Sequence, residues 1–435
     1  MKAKSNRDRP IQLNSWLVPA LVLIAIVTDF LAPYRGWRIL FVGLGGALIV
    51  SWLWSRSLAR GLSLTREMRF GWAQVGDRMV ERFTLRNEGW APGVWVEIHD
   101  ESTVPGYSAS RGTGVAPRDS LRWHTEAVCQ RRGLFTLGPT QLRAGDPFGL
   151  FTVRVDFPAT LPLLVLPPIV PLPHIQVSAG GHSGDARPRA NAMDKTVSAA
   201  SVREYASGDS RRWIHWRTTA KRNDLYVRMF DGTPAGDWWI LLDMYRHAQI
   251  GEGQDATDEH GVILAASLAD RGIRMRRPVG LVAFGQQLVW LPPAEGEGQR
   301  WDVLRALALV DQGDHPLEEV LLRVGPNLSA SASLVIITPS PSTAWVEALL
   351  PLIRRGAVPT VLLLDPATFG GSGDTRTVRA ALTNLGVSHY LISRELLNRA
   401  EARPGRQGQI EWRILGTGKA VPVTKYADAP WKVLE

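Results

Sequence analysis

Two neighbouring apolar runs near the N-terminus constrain the fold more than any other feature of this chain. The first run covers residues 16–32 and the second covers residues 39–54. Each is slightly shorter than the roughly 20 residues that cross a bilayer as a helix, although tryptophans at the ends of the runs suit the membrane interface. The pattern predicts a transmembrane helical hairpin. A buried hairpin of a soluble protein is the alternative, whereas a cleaved signal peptide is disfavoured because no small-residue cleavage site follows the first run.

Basic residues on either side of the two runs predict their orientation. The loop between the runs holds only Arg35 and Arg38. Many more basic residues lie outside the runs, namely Lys2, Lys4, Arg7, Arg9, Arg56, Arg60, Arg66 and Arg69. Because cytoplasmic flanks carry the excess of Lys and Arg, we expect two spans with both termini and the soluble domains in the cytoplasm. Asp29, near the end of the first run, is expected to reach the outer interface.

Length, charge and cysteine content narrow the function classes. The 435 residues are too many for one ordinary core, which predicts two soluble domains. A net charge of +9 favours an anionic neighbour, which is a nucleic acid, a membrane surface or an acidic protein. Cys129 is the only cysteine, so the chain has no intrachain disulfide and no cysteine-based zinc cluster. Its place at the end of an apolar alternation predicts a core residue rather than a nucleophile.

Changes of pattern divide the chain into segments. The basic N-terminus and the two helices occupy residues 1–62. Short alternating strands separated by turn residues, among them a strand over residues 135–142, occupy residues 63–175 and predict a β-sandwich. Six prolines in residues 157–175 predict an extended course there, outside the centre of any sheet. Residues 176–200 are rich in Gly, Ser and Ala and predict a flexible linker, and residues 201–435 hold a signature segment and a second domain.

Continuous apolar strands alternate with amphipathic helices through most of residues 201–435. The strands are Trp238–Leu242, Val279–Phe284, 334–338 and Val358–Leu364. Such strands are typical of a parallel sheet that is buried on both faces, and the alternation predicts a doubly wound sheet. Asp314 is expected to cap a helix over residues 315–324. The predicted fold class is therefore α/β plus all-β.

Polar residues follow several of the predicted strands, where the ligand sites of open α/β sheets lie. They are Asp243, the Thr338-Pro339-Ser340 segment and Asp365. An Asp with hydroxyl residues two and four positions later would bind a divalent cation. Here those positions hold Tyr245 and His247, so the sequence predicts a degenerate site at Asp243, and a bound divalent cation is the alternative to no cofactor. The cluster Gly370-Gly371-Ser372-Gly373 follows another strand and is interpreted as a turn, with phosphate binding as the alternative.

The basic stretch of residues 201–230 interleaves cations with aromatic residues. One interpretation is contact with an acidic partner or an anion through Arg211, Arg212, His215, Arg217 and Lys221. The other is structural, with ion pairs of Arg203 and packing of Trp213 and Trp216 between the two domains. Nucleic-acid binding is disfavoured because it requires a long basic face with exposed aromatics. The chain also contains no P-loop, HExxH, GxSxG or GxGxxG motif in the required context.

Two motifs resemble those of the domain of unknown function 58 family. The first contains Arg203-Glu204-Tyr205, Gly208-Asp209, Arg212, Ile214-His215-Trp216, Thr218 and Ala220. The second contains Arg131-Arg132-Gly133 and Gly145-Asp146-Pro147-Phe148-Gly149-Leu150. Together with the apolar runs, the resemblance covers essentially the whole chain.

The resemblance implies a protein of the bacterial inner membrane with a β-sandwich and a von Willebrand factor A-like domain. Its implied partners are a MoxR-type AAA+ ATPase and a transglutaminase-like membrane protein. The leading hypothesis is a non-enzymatic accessory protein in the assembly or maturation of envelope or metal-containing complexes. The alternatives are a membrane-bound hydrolase of an anionic, phosphate-bearing substrate, with His215 as base beside Asp209 or Asp243, and binding of anionic membrane lipid by the basic face.

The predicted orientation can be tested with reporter fusions. A reporter enzyme that works only in the periplasm is expected to be inactive when fused after Trp54, because the basic flanks hold that end in the cytoplasm. The same reporter fused between the two runs serves as the control and is expected to be active. Activity of the fusion after Trp54 would contradict the orientation.

Overall fold

A computed structural model describes most of the chain. The described residues are 10–68, 71–172, 174–178, 199–205, 216–222, 224–230, 236–328, 332–398, 411–414, 420–423 and 432–433. They form two compact units that divide after Pro168, and the chain beyond residue 405 belongs to the first unit. The predicted linker of residues 176–200 lies largely outside the described residues, so the predicted domain limits stay predictions.

The described strands and helices are numbered in chain order. The strands are β1 Ile11–Leu13, β2 Leu62–Met68, β3 Trp72–Gln74, β4 Arg78–Asn87, β5 Gly93–Asp100, β6 Arg111–Val115, β7 Asp119–Val128, β8 Gly133–Leu137, β9 Thr140–Gly145, β10 Phe151–Phe157, β11 Leu161–Leu166, β12 Ala199–Glu204, β13 Tyr226–Phe230, β14 Trp238–Leu242, β15 Val279–Phe284, β16 Leu288–Ala294, β17 Ser333–Thr338, β18 Val358–Leu364, β19 Ser388–Ile392, β20 Glu411–Ile414, β21 Ala420–Val423 and β22 Lys432–Val433. The helices are α1 Leu17–Leu31, α2 Arg35–Gly61, α3 Trp216–Arg222, α4 Thr257–Arg274, α5 Gly296–Leu309, α6 Leu317–Val324, α7 Ala344–Arg354 and α8 Arg376–Asn384.

The two apolar runs form α1 and α2. Among the described helices, only α2, with 27 residues, is long and apolar enough to cross a membrane, and α1 is a shorter apolar helix of 15 residues. Asp29 of α1 accepts a hydrogen bond from Arg38 of α2 at 3.3 Å. Helix α2 continues past the predicted end of the second run at Trp54, and Leu58 and Ala59 beyond that end are buried in the core of the first unit.

Two antiparallel sheets share the core of the first unit. One has the order β1-β10-β9-β5-β6 and the other has the order β22-β2-β4-β7. Strand β4 shows why the sequence pattern is typical of strands, since its residues alternate between buried and more exposed positions, as expected when one face of a sheet is covered. Phe83 of β4 stacks on Trp123 of β7, with ring centroids 5.3 Å apart.

A third sheet corrects two sequence predictions. Its order is β3-β11-β8, so the proline-containing strand β11 lies at the centre of a sheet and not outside one. Strand β11 pairs with β3 only at residues 164–166. Pro162 lies before this pairing, so its missing N–H is not needed for a hydrogen bond to β3 and the proline is tolerated. The strand predicted over residues 135–142 is in fact β8 and β9, which separate at Gly138 and Pro139 and enter different sheets.

A buried arginine connects the two antiparallel sheets. Arg66 on β2 is 6% exposed, and its guanidinium donates to both carboxylate oxygens of Glu81 on β4 at 2.8 and 2.7 Å. It also donates to Asp100 on β5 at 2.7 Å. The remaining donors reach Ser102 at 2.9 Å and Thr140 on β9 at 3.3 Å. All five N–H groups of the guanidinium therefore have an acceptor.

The second unit is built on a six-stranded sheet of order β16-β15-β14-β17-β18-β19. Strands β14, β15, β17, β18 and β19 run parallel, and the edge strand β16 is antiparallel to β15. Every residue of β14, β15 and β17 is buried. Burial of both faces explains the continuous apolar runs in the sequence.

Helices cover both faces of this sheet. The residues of α6, α7 and α8 share one core with alternate residues of the strands, including Leu241 and Ile336. Helix α4 packs on the other face, where Gly261 allows Leu242 to approach so closely that a Cβ would lie 2.9 Å from its side chain. The prediction that Asp314 caps α6 is wrong, because α6 begins at Leu317 after Pro316 and no side chain caps it.

Residues 169–172 and 174–178 belong to the second unit and contact its helix α4 and strand β18. The N–H of Val170 donates to the Ser267 hydroxyl of α4 at 2.9 Å. The N–H of Ser178 donates to the Thr360 hydroxyl of β18 at 2.9 Å. The prolines of this segment remove backbone donors that would otherwise need partners.

The buried arginine gives a stability prediction. Arg66→Met is expected to lower the free energy of unfolding of the first unit by about 3–5 kcal/mol, because Glu81 and Asp100 are left buried without their cation. The matched control is Arg78→Met, since Arg78 pairs with Glu126 at 3.8 Å on the surface and such pairs contribute about 0–1 kcal/mol. Calorimetry of the full chain in detergent measures both, and equal melting temperatures of the two variants would contradict the prediction.

Candidate functional site

The carboxyl edge of the parallel sheet holds the first candidate site. Asp243 directly follows β14 and is 4% exposed. Its Oδ2 accepts a hydrogen bond from the Thr338 hydroxyl at the end of β17 at 2.6 Å, and its Oδ1 accepts one from the N–H of Tyr245 at 3.0 Å. The Thr338 hydroxyl in turn accepts a hydrogen bond from the N–H of Ser340 at 3.0 Å. Because β14 and β17 are parallel neighbours, their ends bring together two residues that are 95 positions apart in the sequence.

Burial changes the chemistry of Asp243. Removal from water raises the pKa of its carboxyl group from the ordinary 3.8 to about 6, and the charge of Glu318 adds to this rise. The hydrogen bonds from Thr338 and Tyr245 act in the opposite direction. The folded protein therefore holds an ionised Asp243 at neutral pH at a cost in stability.

The loop after Asp243 is fixed by its neighbours. Tyr245 forms a bridge with Gly313, and the N–H of Gly313 donates to the carbonyl of Met244 at 2.9 Å. Gly313 requires the absence of a side chain, because a Cβ there would lie 2.1 Å from the carbonyl oxygen of Gly285. At the surface of the loop, Arg246 pairs with Asp314 at 3.1 Å. The loop is thus held in place by residues 313 and 314.

The residues at this edge do not fit a divalent-cation site of the von Willebrand factor A type, in which an Asp is followed by hydroxyl residues two and four positions later. Both oxygens of Asp243 already accept hydrogen bonds from protein donors. The ring of Tyr245 packs edge-on against His247 at 5.2 Å, where a metal site would need hydroxyl ligands. Asp365 is also engaged, because it caps the turn of residues 366–369 by accepting from the N–H of Ala367 at 3.3 Å. Within the described part of the chain, no group of three or more His, Cys, Asp or Glu residues could hold a metal ion.

The other sequence candidates near this edge have structural surroundings. A Cβ on Gly371 would lie 2.7 Å from Ile250, and a Cβ on Gly373 would lie 3.2 Å from Pro341. These glycines therefore allow close packing of the turn. Cys129, in the first unit, is 1% exposed, and burial raises the pKa of its thiol to about 11. Such a thiol is a poor nucleophile at neutral pH.

The basic stretch is described in part. Strands β12 and β13, which are separated in sequence by α3, form an antiparallel pair in which Glu204 lies opposite Tyr226. The hydroxyl of Tyr226 donates to Glu204 at 3.3 Å, and the guanidinium of Arg222 lies 5.5 Å from the Tyr226 ring. The N–H of Tyr205 donates to the carbonyl of Leu225 at 2.7 Å. Glu204 and Tyr205 of the signature therefore help to hold this pair of strands together.

Helix α3 carries the candidate contact residues that the structure describes. Lys221 is exposed in its last turn. Trp216 at its start is 67% exposed, in contrast to the packed position that the structural interpretation gave it. Arg217 lies in α3 and Arg203 lies in β12, as backbone positions only. The other candidates lie outside the described residues: Gly208, Asp209, Arg211, Arg212, Trp213 and His215.

The basic stretch also begins the region that identifies the family. A family model described as "Protein of unknown function DUF58" matches residues 201–424, which is just over half of the chain. The chain belongs to the DUF58 family. The match includes most of β12, all of α3 and β13, and the whole six-stranded sheet. The family resemblance of the signature is thereby confirmed.

Known proteins similar to this DUF58 chain are distant. The uncharacterized protein YeaD of Bacillus subtilis (strain 168) is 24% identical over 307 residues, which cover 68% of this chain and 74% of YeaD. Among solved structures, proximal thread matrix protein 1 from the mussel byssus is 16% identical with a TM-score of 0.28, covering 37% of this chain and 44% of that chain. An aerotolerance-related membrane protein from Bacteroides fragilis NCTC 9343 is 14% identical with a TM-score of 0.20, covering 44% and 82%. These TM-scores are too low to assign the fold by likeness.

Sequence reasoning placed Asp243 and Thr338 at the same edge of the DUF58 sheet but missed their hydrogen bond. It also missed the ion pair of Arg246 with Asp314, since Asp314 was expected to cap a helix. The available signal was the Gly-Asp pair at residues 313–314, which marks a turn better than a helix start.

The buried carboxyl group of Asp243 gives a pH prediction. The folded state binds the Asp243 proton more tightly than the unfolded state, so ionisation above about pH 6 destabilises the fold. Asp243→Asn removes this cost and is expected to stabilise the protein by about 1–3 kcal/mol near pH 8. The gain should disappear as the pH falls through about 6 toward 4, because Asp243 is then protonated in the wild type too.

Thermal unfolding of the wild type and the variant across this pH range measures the difference. Asp365→Asn is the matched control, since Asp365 is only half-buried and caps a turn. A variant that is less stable than the wild type near pH 8 would contradict the prediction, because it would mean that the ionised carboxylate is needed.

Proposed function

We propose that this DUF58 protein is a non-enzymatic accessory protein anchored in the bacterial inner membrane. In this proposal α1 and α2 form a hairpin of two spans, and both soluble units lie in the cytoplasm. The apolar character of α2 supports the anchor, and the basic flanks of the two runs support the orientation.

The second unit is proposed to be a von Willebrand factor A-like domain. Its support is the sheet order, with five parallel strands, one antiparallel edge strand and helices on both faces. Asp243 follows the central strand β14, the place where an A-type metal site begins. Because its two oxygens are committed to Thr338 and Tyr245, the domain is proposed to bind its partner without a metal ion at this edge.

The observation that carries the accessory role is the engaged carboxylate of Asp243 at the edge of this sheet together with the exposed basic helix α3. At the edge where α/β proteins place ligands, both oxygens of Asp243 accept hydrogen bonds from protein donors, and Tyr245 forms a bridge with Gly313. Helix α3 instead presents a large exposed tryptophan, Trp216, at its start and the exposed cation of Lys221 in its last turn. Tryptophan is enriched in protein interfaces and among the residues that contribute most to binding.

The proposed partner of α3 is a MoxR-type AAA+ ATPase, and a transglutaminase-like membrane protein is the second proposed partner. The complex would act in the assembly or maturation of envelope or metal-containing complexes. The family resemblance of the signature motif supports this partner, and the basic charge of α3 fits an acidic surface on it.

Co-purification tests this proposal. The full chain carrying an affinity tag is expected to recover an AAA+ ATPase from solubilised membranes. The double variant Trp216→Ala with Lys221→Glu should lower the recovery by about tenfold or more, because it removes an interface anchor and reverses a charge. The matched control is Trp301→Ala on α5 of the same unit, which is 44% exposed and is expected to leave recovery unchanged.

The two parts of the proposal can fail separately. If the wild-type chain recovers no AAA+ ATPase, the partner is wrong. If the double variant recovers as much as the wild type, the docking face is wrong.

A further inference from the structure

Several large aromatic side chains are exposed at one end of the first unit. We call Trp52, Trp90, Trp95 and Phe148 the aromatic rim, and they are 41%, 55%, 38% and 63% exposed, respectively. Val94, between two rim residues in sequence, is 58% exposed. Soluble surfaces seldom place so many large apolar side chains together, and such a patch marks an interaction site.

One side of the aromatic rim is attached to α2. The indole N–H of Trp54 in α2 donates to the carbonyl of Pro92 at 3.0 Å. The rings of Trp54 and Trp90 meet edge-on with centroids 5.8 Å apart. Trp54 also packs against the core of the first unit, to which Leu58 belongs. The loop that carries Trp90 is therefore held at the level of Trp54 on the helix.

The other side of the rim reaches the start of α1. The ring of Trp95 lies against Gly145, where a Cβ would be 2.6 Å from it. Gly145 leads into the turn that carries Phe148, and the carboxylate of Asp146 holds this turn by accepting from the N–H of Phe148 at 2.9 Å. Asn14 then donates to the carbonyls of Leu150 and Gly149, only three residues before α1 begins at Leu17. The rim thus extends from the base of one apolar helix to the base of the other.

The length of α2 sets the depth of the rim. The part of α2 from Arg35 to Trp54 extends about 30 Å at about 1.5 Å per residue. The hydrocarbon core of a bilayer is about 30 Å thick. If this part spans the membrane, Trp54 lies at the boundary between the acyl chains and the headgroups. Trp90 lies at the same level, because it contacts Trp54.

We infer that the aromatic rim is seated in the headgroup region of the bilayer, with lipid as its occupant. This inference rests on the membrane anchor of the proposed function. Tryptophan is suited to that depth because its ring is apolar and its N–H finds polar partners there. The inference also gives a role to the turn of residues 145–150, which shapes the rim through Gly145 and presents Phe148 to the lipid. The first unit is then held against the membrane rather than suspended from it.

Site-specific fluorescence quenching tests the inference. A single cysteine at position 90, 148, 128 or 49 is labelled with an environment-sensitive fluorophore in a Cys129→Ala background. The full-length protein is placed in vesicles of phosphatidylethanolamine and phosphatidylglycerol that contain lipids with a nitroxide near the headgroup. Phe148→Cys accompanies Trp90→Cys because Trp90 contacts Trp54 and its loss could disturb the fold.

The two remaining positions are controls. Val128 is 45% exposed and lies opposite Arg78 on β4, whereas Asn87 at the other end of β4 pairs with Leu62 just after α2. Position 128 is therefore about 30 Å along the strand from the base of the helix, at about 3.4 Å per residue. Ile49, which is 62% exposed in α2, reports whether the helix itself is in the membrane.

The expected result is that labels at positions 90 and 148 lose about half or more of their fluorescence, as groups at the interface do, while the label at position 128 loses little. If the label at position 49 is quenched but the labels at positions 90 and 148 are not, the inferred seating of the rim in the bilayer is wrong and the membrane anchor is still supported. Equal quenching at 90 and 128 would also overturn the seating of the rim, since contact with lipid would then be unspecific. No quenching at position 49 would refute the anchor and the rim together.

Discussion

A charge that leaves water must meet hydrogen-bonding partners, and this constraint determines the interior of both units. In the first unit, Arg66 is buried and all five of its N–H groups find acceptors, four on strands of two sheets and one on the loop residue Ser102. In the second unit, Asp243 is buried at the end of the central strand and receives donors from Thr338 and the backbone. Each charge fixes the relative position of neighbouring strands, because a shift of one strand would leave a buried ion unpaired.

The buried charges of Arg66 and Asp243 differ in how they are balanced. The Arg66 cluster joins cation and anions, so its members stabilise one another when both signs are present. Among the described residues, the hydrogen-bond partners of Asp243 include no cation, and burial raises its pKa to about 6. At this edge of the sheet both oxygens of Asp243 are engaged by protein donors, and the loop that follows packs on Gly313. Two exposed surfaces are better candidates for a functional site: helix α3 in the second unit and the aromatic rim in the first unit.

The aromatic rim and α2 illustrate how one helix can serve two environments. Its exposed apolar side chains, such as Ile39 and Val42, suit a membrane. In its last turn, Leu58 and Ala59 are buried in a protein core. A continuous helix joins these two regions and has a fixed length, because its hydrogen bonds hold it at about 1.5 Å per residue. In the proposed anchor, the distance of the first unit from the membrane is therefore set by the geometry of the helix rather than by a linker.

The sequence by itself determined the local elements and the family. Strand Val358–Leu364 was predicted to the residue, and the apolar α2 and the buried strand Trp238–Leu242 were evident, because length and periodicity of apolar residues depend only on neighbours in the chain. The DUF58 signature was equally legible, since it is a linear motif. Tertiary structure alone decided that Thr338 bonds to Asp243, that Arg66 meets Glu81 and Asp100, and that Trp95 and Phe148 lie on one rim. These contacts depend on sheet order and strand register, which join residues far apart in the chain and leave no periodic trace in the sequence.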